Sequence, residues 1–335
     1  NVIDNVDQSG VNGVRKDRFI NIGLNLKDKP ASPFETGTVL NHELDHYVSF
    51  PTVEDYNAME KFTLELLFQI IGIGSASGLI YKSPSLYVIG DNSGYLYEYN
   101  MEAKDLQQHA IIENASANIA KKDKPDFEAI TSFDDKLYVF GSGSTPKRNK
   151  MVEINTTEKE IKTNDLTDLY GVMQSFGQIK ADDFNLEGAI YTGKEWLLFN
   201  RGNGKKSKNV IFTIYGKNLI NEFNMISNEY KLPKINGVRS SFTDAVLVDT
   251  KIYFLATAED TQSTYNDGEE KGSLIGVIDV ATMKLEFTQK ISDTHKFEGL
   301  TLYQNSDKTL EFLRCEDKEA EVLETNIYKL VLDKS

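Results

Sequence analysis

Residues 128–154 read EAITSFDDKLYVFGSGSTPKRNKMVEI. The stretch opens on an acidic, a small and an apolar residue, Glu128-Ala129-Ile130. An aromatic and β-branched run follows at residues 137–141, then a Gly/Ser/Pro loop, then a second apolar run at 151–154. Short runs of this composition bounded by turn residues read as antiparallel strands. The same order recurs four more times. Its opening frames are Ser77-Gly78-Leu79, Glu187-Gly188-Ala189, Asp244-Ala245-Val246 and Glu298-Gly299-Leu300. The five frames stand at intervals of 51, 59, 57 and 54 residues, a period that marks a structural repeat.

A further run closes four of the units, at residues 107–113, 160–167, 223–232 and 284–291. Four strands and about 55 residues per unit describe a propeller blade. The last unit has only three runs. The missing strand is Phe62-Thr63-Leu64-Glu65-Leu66-Leu67-Phe68-Gln69-Ile70-Ile71, just before the first frame. The expected fold is therefore all-β: a five-bladed β-propeller over residues 61–335. Pairing of residues 62–71 with 326–332 would close the ring and leave only short, protected edges. Residues 1–60 lie outside the repeats and are expected to form an extension packed on the propeller. It has a strand near residues 19–26 and a short helix near 38–50.

Composition narrows the function. With 51 acidic and 37 basic residues the net charge is −14, which disfavours nucleic acid and favours cations as partners. The longest apolar run, residues 62–73, is too short for a membrane span and carries Glu65, so no membrane insertion is expected. A single cysteine, Cys315, excludes a disulfide framework within the chain and reads as a buried structural thiol. The first residue is Asn1 rather than Met, which leads us to expect export to the periplasm or medium, with the cytoplasm as the alternative. A monomer is expected.

In a propeller the first strand of each blade lines the central channel. Ser77, Glu128, Glu187, Asp244 and Glu298 are then expected to meet at one height on the axis. They offer only oxygen, which suits Ca²⁺, with Mg²⁺ as the alternative, rather than zinc. Carboxylates that converge without a cation must protonate or separate. The competing reading is a water-filled acidic channel. The loops after each second strand form another candidate constellation. There Arg201, Asn203, Lys147, Arg148 and Asp91 would hold a small anionic molecule beside the ion. Ordinary solvated loop chemistry is the alternative.

The segments Lys124-Pro125-Asp126-Phe127-Glu128-Ala129, Gly141-Ser142-Gly143-Ser144-Thr145-Pro146-Lys147-Arg148, Asn185-Leu186-Glu187-Gly188-Ala189, Arg201-Gly202-Asn203-Gly204, Phe242-Thr243-Asp244-Ala245 and Ala258-Glu259-Asp260-Thr261 resemble a bacterial five-bladed β-propeller family of unknown function. The resemblance spans roughly residues 62–335 and implies a fold without an activity. More distantly, the order of ring residues is similar to that of the calcium-activated nucleotidase (apyrase) propellers, which implies a central calcium ion. The fourth position departs from that pattern, with Asp244 beside Thr243 where the nucleotidases have Ser.

Three functions follow as expectations. The first is a divalent-cation-binding propeller that hydrolyses an anionic small molecule, with Arg201 holding its anionic group. The second is a non-catalytic binding protein with a structural central ion. The third rests on His42-Glu43-Leu44-Asp45-His46, which matches the zinc-protease pattern H-E-x-x-H on a helix but lacks an evident third ligand.

Overall fold

The computed structural model describes residues 13–16, 19–22, 62–204, 208–220, 224–261, 268–316 and 323–334. The chain divides into two units, residues 1–59 and 60–335. In the first, β1 (Gly13–Lys16) and β2 (Phe19–Ile22) form an antiparallel pair. The expected helix near 38–50, and with it His42, Glu43 and His46, lies outside the described residues.

The second unit holds five antiparallel sheets that form a five-bladed propeller. Its first strand is β3 (Phe62–Ile71). Blade 1 follows as β4 (Ala76–Lys82), β5 (Ser85–Gly90), β6 (Tyr95–Asn100) and β7 (Asp105–Ala110). Blade 2 comprises β8 (Phe127–Phe133), β9 (Lys136–Gly141), β10 (Lys150–Asn155) and β11 (Ile161–Asp165). Blade 3 comprises β12 (Leu186–Tyr191), β13 (Glu195–Asn200), β14 (Asn209–Tyr215) and β15 (Asn224–Tyr230). Blade 4 adds a two-residue edge piece, β16 (Lys234–Ile235), to β17 (Val238–Val248), β18 (Lys251–Asp260), β19 (Glu269–Asp279) and β20 (Lys284–Ser292). Blade 5 consists of β21 (Phe297–Asn305), β22 (Thr309–Glu316), β23 (Glu324–Asp333) and, on its outer edge, β3.

The ring closes as the repeat count requires. β3 runs antiparallel to β23 from Phe62 opposite Leu332 to Ile71 opposite Glu324. The C-terminal blade thereby gains the partner that its third strand would otherwise leave unpaired. Leu66, Leu67 and Ile71 remain exposed on that edge.

The inner strands β4, β8, β12, β17 and β21 neighbour one another in a closed circle, and the core lies between adjacent blades. Between blades 3 and 4, Phe242 meets Phe199, Tyr230 and Phe254 edge to face at centroid distances of 5.5, 5.9 and 5.0 Å. This geometry lets the positive ring edge meet the negative face. Gly276 faces the Phe254 ring, which fills the place of a side chain. Cys315 is buried, as expected of a structural thiol.

Among the described residues one α-helix stands outside the repeat. Helix α1 (Thr167–Gly177) follows blade 2 and buries Leu169, Tyr170 and Met173. Asp165 accepts from the Thr167 N–H at 2.8 Å and so satisfies a donor of the first turn. Gln178 ends the helix in the left-handed conformation. The Tyr170 hydroxyl donates to the Gly141 carbonyl at 2.7 Å and ties the helix to the loop after β9. Among the described residues no helix is long and apolar enough to cross a membrane.

Candidate functional site

Every inner strand carries a one-residue bulge at the same point. Ala76 pairs with Gly90 and Gly78 with Ile89, which leaves Ser77 unpaired. Glu128, Glu187 and Glu298 are left over in the same way in blades 2, 3 and 5. A bulge re-aims the extra residue's side chain, here at the crowded centre of a ring. In blade 4, Phe242 pairs with Ala256 and Asp244 with Leu255, so the bulged residue is Thr243. The ring in register is therefore Ser77, Glu128, Glu187, Thr243 and Glu298.

Asp244 takes the place that Gly or Ala holds in the other blades, and its side chain has a different task. Its carboxylate accepts from the Ala245 and Leu300 N–H groups, each at 2.7 Å, across the seam between blades 4 and 5. Burial pushes its pKa well up, against the lowering effect of those two bonds. The hydroxyls of the ring are also engaged. Thr243 Oγ1 donates to the Phe297 carbonyl at 2.8 Å, and Ser77 Oγ donates to that of Phe127. Each links its blade to the residue just before the next ring position.

The three ring glutamates sit in unequal surroundings. Arg201, expected on the rim, is buried among carboxylates. Its Nη1 lies 3.1 Å from Glu187 Oε1 and 3.9 Å from Glu298 Oε1, and Nη2 lies 2.6 Å from Glu259 Oε2. Its Nε donates to Ser241 Oγ at 3.3 Å. Burial opposes this charge, but Glu187, Glu259 and Glu298 outweigh it and hold the guanidinium pKa above its ordinary value. Lys296 Nζ reaches Glu298 Oε1 at 2.9 Å. The pKa of Glu187 is raised by burial, with Arg201 and Lys296 opposing.

Glu128 differs. Among the described residues no hydrogen bond or ion pair engages its carboxylate. Burial pushes its pKa well above the usual carboxylate range, and the charges of Glu187, Asp126, Asp91 and Glu298 add to the shift. One carboxylate oxygen each of Asp91, Asp126 and Glu128 lies within 4.8 Å of the others. Lys124 bridges Asp91 and Asp126, at 2.7 Å from Asp126 Oδ1. Arg148 Nη1 sits 2.7 Å from Asp126 Oδ2, and Ser142 and Ser144 donate to the same oxygen.

A belt of main-chain bonds gathers these groups. The Asp126 N–H donates to Asp91 O at 3.0 Å, Ser142 N–H to Asp126 O at 2.9 Å, and Leu186 N–H to Ser142 O at 2.8 Å. The Arg201 N–H then donates to Asn185 O at 2.8 Å. The belt joins the starts of first strands to the ends of second strands, and beside it Asp91 pairs with Lys124, Arg148 with Asp126, and Arg201 with Glu187 and Glu259, all as internal ion pairs. Lys147 instead points to solvent, 74% exposed, opposite Asp123 at 3.3 Å. Asn203 keeps a buried Oδ1 that no donor among the described residues meets.

Lys124, Asp126, Thr243 and Lys296 were not singled out as site residues from the sequence. A signal existed in the charges flanking the ring residues, Lys124 and Asp126 before Glu128 and Lys296 before Glu298, which local sequence places near the ring without fixing their direction. Asp91, Asp126 and Glu128 offer only oxygen, and Glu128 is free of donors. The set fits a hard divalent cation.

Comparison with known proteins supports the fold. A family model described as a family of unknown function (DUF6929) matches residues 72–332. No curated protein sequence matches. Among solved structures, the major Malassezia sympodialis allergen Mala s 1 superposes with a TM-score of 0.51 at 9% identity, covering 81% of this chain and 97% of that one. Myxococcus xanthus glutaminyl cyclase gives a TM-score of 0.49 at 11% identity, covering 82% and 99%. The first of these likenesses concerns architecture alone, and the comparisons give no support to the nucleotidase resemblance.

Proposed function

The chain belongs to this family of unknown function, and membership brings a fold without an activity, so we propose a function from the site itself. The protein is a divalent-cation-binding propeller whose ion, calcium rather than magnesium, is held at the channel by Glu128 with Asp91 and Asp126. The observation that carries this reading is Glu128: a carboxylate whose acidic neighbours outweigh the nearby Lys124 ammonium and which, among the described residues, accepts no hydrogen bond. Glu187, Glu298 and Asp126 each have a guanidinium or ammonium partner. The acidic groups still outnumber the bases around them, and a divalent cation balances the remainder. The irregular, partly engaged oxygen set suits calcium's flexible coordination better than magnesium's octahedron.

The ion's role is to complete this network and offer an anionic small molecule its remaining coordination positions, without catalysis. Arg201 favours this over hydrolysis, because three carboxylates already surround its guanidinium. Hydrolysis is the second reading, favoured by the raised pKa of Glu128, the direction in which a general acid or base is tuned. Calorimetric titration of chelator-treated protein with Ca²⁺ tests the first claim. Wild type should bind one equivalent and Glu128→Gln should bind much more weakly. Absence of saturable binding to wild type rejects the ion. A screen of phosphate and carboxylate esters with and without Ca²⁺ then separates the readings: turnover abolished in Glu128→Gln replaces the binding protein with a hydrolase.

A further inference from the structure

Blade 5 buries a guanidinium that no acceptor among the described residues pairs. Arg314, on β22, is 0% exposed, and none of Nε, Nη1 and Nη2 has a hydrogen-bond partner. Its Cζ lies 3.9 Å from the centroid of the Phe297 ring. The other buried bases behave differently, since Arg148, Arg201 and Lys296 each face a carboxylate.

The repeat supplies an internal comparison. Arg314 sits opposite Leu300 of the inner strand. In blades 1 to 4 the corresponding residues, opposite Leu79, Ile130, Ala189 and Ala245, are Val88, Val139, Leu198 and Phe254. The fold thus takes an apolar residue here four times and an arginine once. Packing does not require the charge.

Nor, among the described residues, is a neighbouring acid aimed at it. Glu316, two residues along β22, is engaged by His295, by Asn326 at 3.0 Å and by the Tyr328 hydroxyl at 3.1 Å. Burial lowers the Arg314 pKa to about 9, with Tyr328 resisting, so the group remains protonated at neutral pH. Stacking on Phe297 offsets part of the cost of burying it but leaves all its in-plane N–H donors unmet.

We propose that Arg314 forms an interior anion site, separate from the acidic channel, that takes a small monovalent anion between a halide and a carboxylate in size. The Phe297 ring covers one face of the guanidinium, so the anion binds at its edge, where the donors point. A single buried charge matches a monovalent ion, and a dianion such as sulfate would reverse the imbalance. A carboxylate would accept two parallel N–H bonds and a halide one or two.

The test uses the full chain in chelator, with ionic strength held constant by sodium gluconate, an anion too large for the site. Chloride, nitrate or formate replaces gluconate stepwise. The wild-type Tm should rise with the logarithm of anion concentration, because a ligand of the native state stabilises by mass action. Arg314→Met should show no such rise, and in gluconate alone it should be at least as stable as wild type, since it removes an unpaired buried charge. Equal slopes for the two proteins, or an Arg314→Met protein less stable than wild type in gluconate, would overturn the site. Should Arg314→Met not fold, the ³⁵Cl NMR linewidth decides. Wild type should broaden it in a manner reversed by nitrate, and Arg314→Lys, which lacks the fork, should broaden it far less. Equal broadening by both, or none by wild type, rejects the proposal.

Discussion

Replacing Arg201 with Ala should be among the most damaging single changes in the ring. The side chain is 5% exposed and ties blade 3 to blades 4 and 5 through Glu187, Glu259 and Glu298. Removing one partner of a buried ion pair costs about 3–5 kcal/mol, because the charge left behind stays out of water. Two effects hold the loss near that range although three carboxylates are involved. Lys296 still neutralises Glu298 at 2.9 Å. The pKa of Glu187 is already raised, so it can take a proton at about 1.4 kcal/mol per unit between its pKa and the ambient pH. At about 2 °C per kcal/mol for a domain of this size, Tm should fall by roughly 6–10 °C. Urea unfolding of wild type, Arg201→Ala, Glu259→Gln and the double variant measures this. The double-mutant cycle should give a coupling above about 1 kcal/mol between the two sites. Calcium should restore more stability to Arg201→Ala than it adds to wild type, since it replaces a missing positive charge. An Arg201→Ala protein within about 1 kcal/mol of wild type would show that the buried network does not hold the ring, and the reasoning above would fail.

Three further outcomes are expected. In chelator, stability should rise as the pH is lowered from about 8 toward 5: the pKa values of Glu128, Glu187 and Asp244 are raised in the fold, so the native state binds more protons than the unfolded one, and thermal melts of Glu128→Gln should show a shallower slope. Deleting residues 62–71 should abolish the soluble folded protein by leaving β23 as an open edge, and a soluble, cooperatively melting deletion would refute the closure argument. Gly276→Ala should cost about 1–3 kcal/mol by driving a methyl group into the Phe254 ring, whereas Gly171→Ala, in α1 with open space around it, should gain about 0.5–1 kcal/mol in the same urea assay.

The blades were legible because their signal is repeated. Strand pairs separated by turn residues recur five times, and the lone run at 62–71 could only complete the three-stranded unit. The ring was legible in blades 1, 2, 3 and 5. Blade 4 misleads by one residue, because Asp244-Ala245-Val246 satisfies the same pattern as the true frames. Only the hydrogen-bond register identifies Thr243 as the bulged residue. The role of Arg201 was hidden for a different reason. Its carboxylates come from residues 187, 259 and 298, and nothing in local sequence tells a rim arginine from one folded inward. Helix α1 was missed because its buried stripe is only Leu169, Tyr170 and Met173, too short a period to stand out between strands.

The closing strand has a consequence during synthesis. On the ribosome β3 emerges before the other propeller strands and its partner β23 after them, with Leu332 lying 270 residues after Phe62. At about 5–20 residues per second the strand waits roughly 15–50 s for its partner. Throughout that interval Leu66, Leu67 and Ile71 accompany a row of unpaired backbone groups, an invitation to pair with another nascent chain. Ring closure thus waits until the last blade has been made, and the yield of folded protein depends on how well that first strand is kept apart from its copies.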